Sequence, residues 1–300
     1  MKLNKFSAAT LSLVCIGRFV FNSCKKKDDT TTTPAPAAPQ LIFKFKFDST
    51  QVRLNNLGAV STIPSGHSAQ SPIFNKMSGH YIELSPSAYT AVGAGDVLYH
   101  APETTTGGST AIDFSKSSIV GQNETFFSIP LSSVNPGTYQ YLRVSLAYQN
   151  YTIKYKSNSI YGTGTIASFV GYNTYVTNFN INTQNLVVNA NKLQGYWAFE
   201  TEVLGNYYTT SGQAPAGSTT VVNPLSSTSP IPAGSCLATG AFATPLQITG
   251  SETHDITIVV SLSTNKSFEW KDSNMDGLYE PTAGDTVVDM GIRGLIPIVQ

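Results

Sequence analysis

The sequence predicts an all-β protein, an antiparallel β-sandwich that follows an extended N-terminal tether. Three observations point there. Thr, Ser, Asn, Tyr, Val and Gly dominate the body of the chain, while Lys and Glu are scarce. No long stretch carries the apolar spacing of an amphipathic helix. Short segments of alternating apolar and polar residues recur instead, bounded by turn residues, and many strands at short spacing imply a sandwich.

The clearest segment is 41–47 (LIFKFKF), which sets Phe43, Phe45 and Phe47 on one face and Lys44 and Lys46 on the other. A Pro136-Gly137 turn opens a second alternating run over 138–148 (TYQYLRVSLAY). Residues 165–170, 174–181, 185–189, 195–204, 246–249, 255–262 and 286–290 follow as further strands. The Pro/Gly/Ser-rich tract 211–234 reads as a linker or a long surface loop, and Val221, Val222 and Leu225 within it suggest packing. One domain over 40–300 is expected, with two packed sub-sandwiches as the variant. About 260 residues bury a substantial core.

The N-terminus reads as an address. Lys2 and Lys5 precede an apolar stretch over 8–20 that is too short to span a bilayer and is interrupted by Arg18. Ser23 and Cys24 follow, then Lys25-Lys26-Lys27-Asp28-Asp29. This pattern predicts a lipoprotein signal over 1–23, with Cys24 as the lipidated residue and a flexible tether over 24–39. Proline and threonine keep residues 30–39 (TTTTPAPAAP) extended. The Ser-Cys-Lys-Lys-Lys-Asp-Asp start with its Thr/Pro/Ala tether resembles Bacteroidota surface lipoproteins. The resemblance implies an outer-membrane lipid anchor, with the domain at the cell surface or on the periplasmic side.

Charge and cysteine usage narrow the classes further. The 18 basic and 18 acidic residues balance. Without Lys2, Lys5 and Arg18, 15 basic residues remain, so the body is mildly acidic. No basic run lies within it, which argues against nucleic acid. With Cys24 lipidated and Cys15 removed in the leader, Cys236 is the remaining thiol of three, so no intrachain disulfide forms.

Residues 272–280 (DSNMDGLYE) carry the most specific chemical motif. Asp272, Asn274 and Asp276 place oxygens at alternate positions, Gly277 permits the sharp turn, Leu278 offers its carbonyl and Glu280 a further oxygen. That is the ligand spacing of a calcium loop, and it resembles the first part of the EF-hand and dockerin loop. The loop's final acid is replaced by Ala283, and Pro281 blocks a following helix. The expectation is a structural calcium site outside an EF-hand, with Asp285 or a remote carboxylate completing the shell. The competing reading is an Asx/Gly turn held by its own hydrogen bonds.

His67, His80 and His100 lie in the first third, near Met77, Glu83 and Glu103 in sequence. Imidazole suits copper and zinc. Their spacing matches no compact motif, and surface or hydrogen-bonded histidines are the bland alternative. An N-terminal Phe-rich strand, Val134-Asn-Pro136-Gly137-Thr-Tyr139 and Gly195-Tyr196-Trp197 resemble the periplasmic copper-binding proteins associated with methanobactin. That resemblance implies copper binding without assigning a ligand.

Other signals are weaker. Gly66-His67-Ser68-Ala69-Gln70 lacks the last glycine of a nucleophile elbow. Cys236 has no neighbouring histidine and reads as a small buried apolar residue. Tyr148, Tyr151, Tyr155, Tyr161, Tyr172 and Tyr175, with Asn150, Asn158 and Asn173, suit either sugar stacking or ordinary strand packing. The expected function is a lipid-anchored, non-enzymatic binding or adhesion protein with a structural calcium site, whose partner is a glycan or another envelope protein. A copper- or zinc-binding protein is the alternative, and a carbohydrate-active hydrolase the second.

Overall fold

Alternation of buried and outward residues marks strands such as Gln40–Asp48, whereas Ile73–Ser85 and Gly137–Ser157 are buried on both faces over much of their length. The computed structural model describes residues 38–53, 60–214, 232, 234–292 and 294–300. Cys24, the leader and the tether up to residue 37 lie outside the described residues, as do Val221, Val222 and Leu225. Ala38–Gln300 forms a single compact unit.

In chain order the strands are β1 (Gln40–Asp48), β2 (His67–Gln70), β3 (Ile73–Ser85), β4 (Asp96–His100), β5 (Glu103–Thr104), β6 (Ala111–Asp113), β7 (Thr125–Pro130), β8 (Gly137–Ser157), β9 (Ile160–Phe169), β10 (Asn173–Asn180), β11 (Asn185–Leu193), β12 (Tyr196–Val203), β13 (Asn206–Gln213), β14 (Cys236–Ile248), β15 (Ile256–Ser263), β16 (Phe268–Lys271), β17 (Thr286–Met290) and β18 (Leu295–Val299). Three single 3-10 turns interrupt them. Among the described residues no helix is long and apolar enough to cross a membrane.

The long strand β8 is the spine. One edge pairs with β3, while the other pairs first with β14 and then with β9. The sheet continues through β12 to β13, and β4 extends it beyond β3. A second sheet, ordered β18-β15-β1-β7, covers one face. Leu41, Phe43 and Phe45 of β1 and Ile258, Val260 and Leu262 of β15 share a core with Ile82, Leu84, Leu142, Val144 and Leu146 of the spine sheet. Each such side chain contributes about 1.5–3 kcal/mol when fully buried. A smaller sheet, β11-β10-β6-β5, covers the opposite face. Its Val176 and Phe179 pack with Tyr148, Ala167, Phe169, Tyr196 and Ala198. The sandwich therefore has a third layer.

Two pairings break the antiparallel expectation. β1 lies parallel to β15, and β6 parallel to β10. The chain between β1 and β15 is long enough for the crossover that a parallel pair requires. Residues 211–213, expected in a loop, are the end of β13. β14 begins at Cys236, ahead of the expected start at 246, and a register shift between Ala241 and Leu246 explains why its alternation is hard to read.

Candidate metal centre

A bulge positions the first side chain of the candidate site. Along β3 and β8, Ser78 faces Tyr148, Gly79 faces Leu146 and Tyr81 faces Ser145. His80 and Ala147 are thus the extra residues of their strands. A bulge turns the neighbouring side chains away from strict alternation and re-aims them. On the far edge of β3, Tyr81 pairs with His100 of β4, and the Ala101 N–H donates to the His80 carbonyl at 2.7 Å. The His80 and His100 rings come together with centroids 4.6 Å apart and planes at 58°.

Glu103 completes the group from β5. Its Oε1 lies 3.2 Å from His80 Nε2 and 3.9 Å from His100 Nε2. One ligand atom from each of the three lies within 4.8 Å of the others. Ligands bonded at 2.0–2.1 Å in a tetrahedron stand about 3.3 Å apart, so only a small contraction brings these atoms onto one ion. His80 is fully buried, whereas the His100 side chain is 39% exposed and leaves that side open to solvent. Tyr172, between β9 and β10, donates its hydroxyl to Glu103 Oε1 at 2.8 Å. Its ring stands 5.4 Å from that of His80.

The electrostatics favour an ionised Glu103 and a neutral His100, while at His80 an ion would take the place of the Nε2 proton shared with Glu103. The hydrogen bond to His80 holds the Glu103 carboxyl below its ordinary range, against the opposing effect of burial. Burial, followed by the neighbouring His80, pushes the His100 pKa down, which favours the neutral imidazole that binds metal. Burial, followed by the bond to Glu103, raises the Tyr172 hydroxyl, which stays protonated as a donor. His80 Nδ1 is buried with no hydrogen-bond partner. Unsatisfied buried nitrogens are rare, and functional sites are one place that carries them.

His67 is not part of this group. On β2 its Nδ1 lies 2.6 Å from Glu269 Oε1, and Glu269 also pairs with Arg53. Met77 packs in the main core. The Glu83 carboxylate pairs with Arg143 at 3.4 Å and accepts the Gly93 and Gly95 N–H groups, which pins the loop before β4. Two of the three expected histidines therefore meet, with Glu103 as the third group. Tyr172, one of the tyrosines whose sequence suits sugar stacking, instead holds Glu103 as a positioning residue.

The expected calcium loop folds as a tight turn between β16 and β17. Asp272 Oδ2 accepts from the Gly277 N–H at 2.9 Å and the Ser68 hydroxyl at 2.7 Å. Burial raises the Asp272 pKa, but these bonds outweigh it and hold the group below its ordinary value. Asp272 Oδ1 is buried without a partner. Asp276 Oδ1 accepts the Leu278 N–H at 2.8 Å, and Asn274 Oδ1 accepts the Asp276 N–H at 3.3 Å. Met275 and Gly277 adopt positive φ of 59° and 76°. Lys156 of β8 sets its ammonium 2.8 Å from Glu280 Oε2 and 3.4 Å from Asp276 Oδ2. Asp285 accepts the Ser273 and Glu280 N–H groups and ties the ends of the loop together. The donor set combines Asx-turn bonds with one free carboxylate oxygen, and Lys156 supplies the positive charge.

The remaining candidates separate. Ser68 sits on strand β2 without a following helix, so no nucleophile elbow exists there. Cys236 is half-buried rather than fully buried, and desolvation pushes its thiol up to about 12, far from a reactive thiolate. Tyr148 and Tyr151 are core residues, while Tyr161 is exposed. No known protein family, curated protein or solved structure matches this chain.

Proposed function

We propose that this chain is a lipid-anchored envelope protein that binds a transition-metal ion, zinc or copper(II), through His80, His100 and Glu103. The observation that carries this reading is the convergence of three ligand atoms within 4.8 Å around a bulge that aims a buried histidine. Two imidazoles and a carboxylate suit zinc and copper(II), whereas copper(I) favours the thiolates and thioethers that this group lacks. Three protein ligands leave a position on the His100 side for water, an exchanging ligand or a second protein. The anchor is assigned to Cys24 on sequence grounds alone. In this reading the 272–280 loop is a separate, structural calcium site, supported by its spacing of oxygen donors at Asp272, Asn274, Asp276 and Glu280.

A second reading, glycan adhesion, is favoured by a polar groove of about 430 Å³ lined by Tyr148, Asn150, Thr165, Glu200 and Tyr207. Elemental analysis of the Ala38–Gln300 unit, purified without chelator and dialysed against trace zinc and copper, separates the two. Near-stoichiometric zinc or copper that is lost in a His80→Ala/His100→Ala variant supports metal binding. Calcium alone, with retention on a glycan array, supports adhesion.

A further inference from the structure

On the face of the spine sheet that carries the main core, β8, β9, β12 and β13 face β16, β17 and the loop between them across a cleft of about 760 Å³. Ile153, Ile166, Trp197 and Phe199 form its floor, and Tyr279 and Val287 stand on the opposite wall. Among the described residues no Asp, Glu, Lys or Arg lines it. Trp197, Phe199, Tyr279 and Val287 pack against the main core yet remain only partly buried.

The floor is built around glycines. Ring atoms of Trp197 would stand 2.9 Å from a Cβ placed on Gly212, its cross-strand partner in β13. Ring atoms of Phe199 would stand 2.1 Å from a Cβ on Gly164, and those of Tyr155 2.9 Å from a Cβ on Gly162, its partner in β9. Three aromatic rings thus occupy the space that side chains would fill on the neighbouring strands. Rings laid over cross-strand glycines spread aromatic surface along the sheet instead of standing away from it. Tyr155 and Phe199 meet edge to face, with centroids 5.7 Å apart.

We infer that this cleft is a binding site for an uncharged, largely apolar, ring-bearing small molecule. Its volume falls within the range of about 300–1,000 Å³ typical of small-molecule sites. The aromatic floor supplies stacking surface. The uncharged lining penalises an ionic ligand, which would lose its hydration without a partner. The Tyr155 hydroxyl, paired with Thr201 Oγ1 at 2.9 Å, places a polar pair in the lining. The site is separate from His80, His100 and Glu103 and does not rest on the metal reading.

The test is a titration of Ala38–Gln300, in chelator, with the neutral fluorophore N-phenyl-1-naphthylamine. Energy transfer from tryptophan reports the site. Saturable one-to-one binding is expected. Val287→Asp should weaken it by about tenfold or more, because a carboxylate then sits on the apolar wall. Thr210→Trp, at an exposed lining position on β13, should weaken it by filling space while sparing the core. Melting curves identify any variant that fails to fold, and Thr210→Trp then carries the test. Non-saturable binding, or binding unchanged in both folded variants, overturns the inference. So does binding that appears only after residues 216–230 are replaced by a short Gly/Ser linker, since the chain's own segment is then the occupant. Retention of oligosaccharides at this cleft, without the apolar probe, overturns it as well.

Discussion

His80 and His100 stand ring to ring, centroids 4.6 Å apart, because His80 is the extra residue of a bulge in β3. Tyr172 holds the third member of the group through a 2.8 Å bond to Glu103 Oε1. Partners of metal ligands of this kind change affinity by about 10- to 100-fold when removed. Tyr172→Phe should therefore weaken zinc binding by about tenfold, with little change in melting temperature. Calorimetric titration of the two proteins checks it. Equal affinities would remove Tyr172 from the site.

The 272–280 loop yields a prediction in two buffers. A site with a dissociation constant of about 0.1–1 mM in about 10 mM calcium stabilises by about 1.4–2.7 kcal/mol. Asp276→Ala should lower the melting temperature by several degrees more in calcium than in chelator, where it loses only its bonds to the Leu278 N–H and to Lys156. Lys156→Met should tighten calcium binding by about two- to fivefold, because the ion no longer displaces an ammonium from Glu280 and Asp276. Equal losses for Asp276→Ala in both buffers would leave only the Asx turn.

Glu83 and Arg143 form a buried pair at 3.4 Å, and both anchor the backbone of the loop before β4. Glu83→Ala leaves the guanidinium buried and uncompensated, which should cost about 3–5 kcal/mol. Urea unfolding measures it. Because this loop leads into β4, the same variant should also weaken zinc binding through His100.

Glu200 gives a pH signature. It is 2% exposed and accepts the N–H groups of Asn182, Thr183 and Gln184 and the Thr183 hydroxyl. Burial raises its pKa, but these bonds outweigh burial and lower it below the unfolded value. A depressed carboxylate adds stability above the unfolded pKa of about 4.3 and loses it as pH falls through the folded pKa. Glu200→Gln should be less stable than the parent by about 2 kcal/mol at neutral pH. The gap should close below about pH 4. A gap independent of pH would contradict the assignment.

The sheet pattern was legible where one face is buried. Leu41, Phe43 and Phe45 alternate with Lys44 and Lys46, and β1 spans nearly the stretch that this alternation marks. β3 is not legible in the sequence, because it is buried on both faces from Met77 to Ser85 and carries bulges, so neither alternation nor turn residues announce it. The same bulges hide the candidate site. His80 and His100 are 20 residues apart in sequence, and strict alternation gives no reason for His80 to share the side of His100. Glu103 stood in view three residues after His100, but its role depends on that irregular backbone. His67 is near the other two in sequence, whereas strand pairing carries it to β16 and Glu269.

The central claim is the metal at His80, His100 and Glu103. The most direct measurement is an anomalous difference map from crystals of Ala38–Gln300 equilibrated with zinc, recorded on both sides of the zinc absorption edge, with copper in a parallel crystal. The account predicts a peak about 2.0–2.2 Å from His80 Nε2, His100 Nε2 and Glu103 Oε1. A peak confined to the 272–280 loop or to His67, or none at all in a well-ordered crystal, would contradict it.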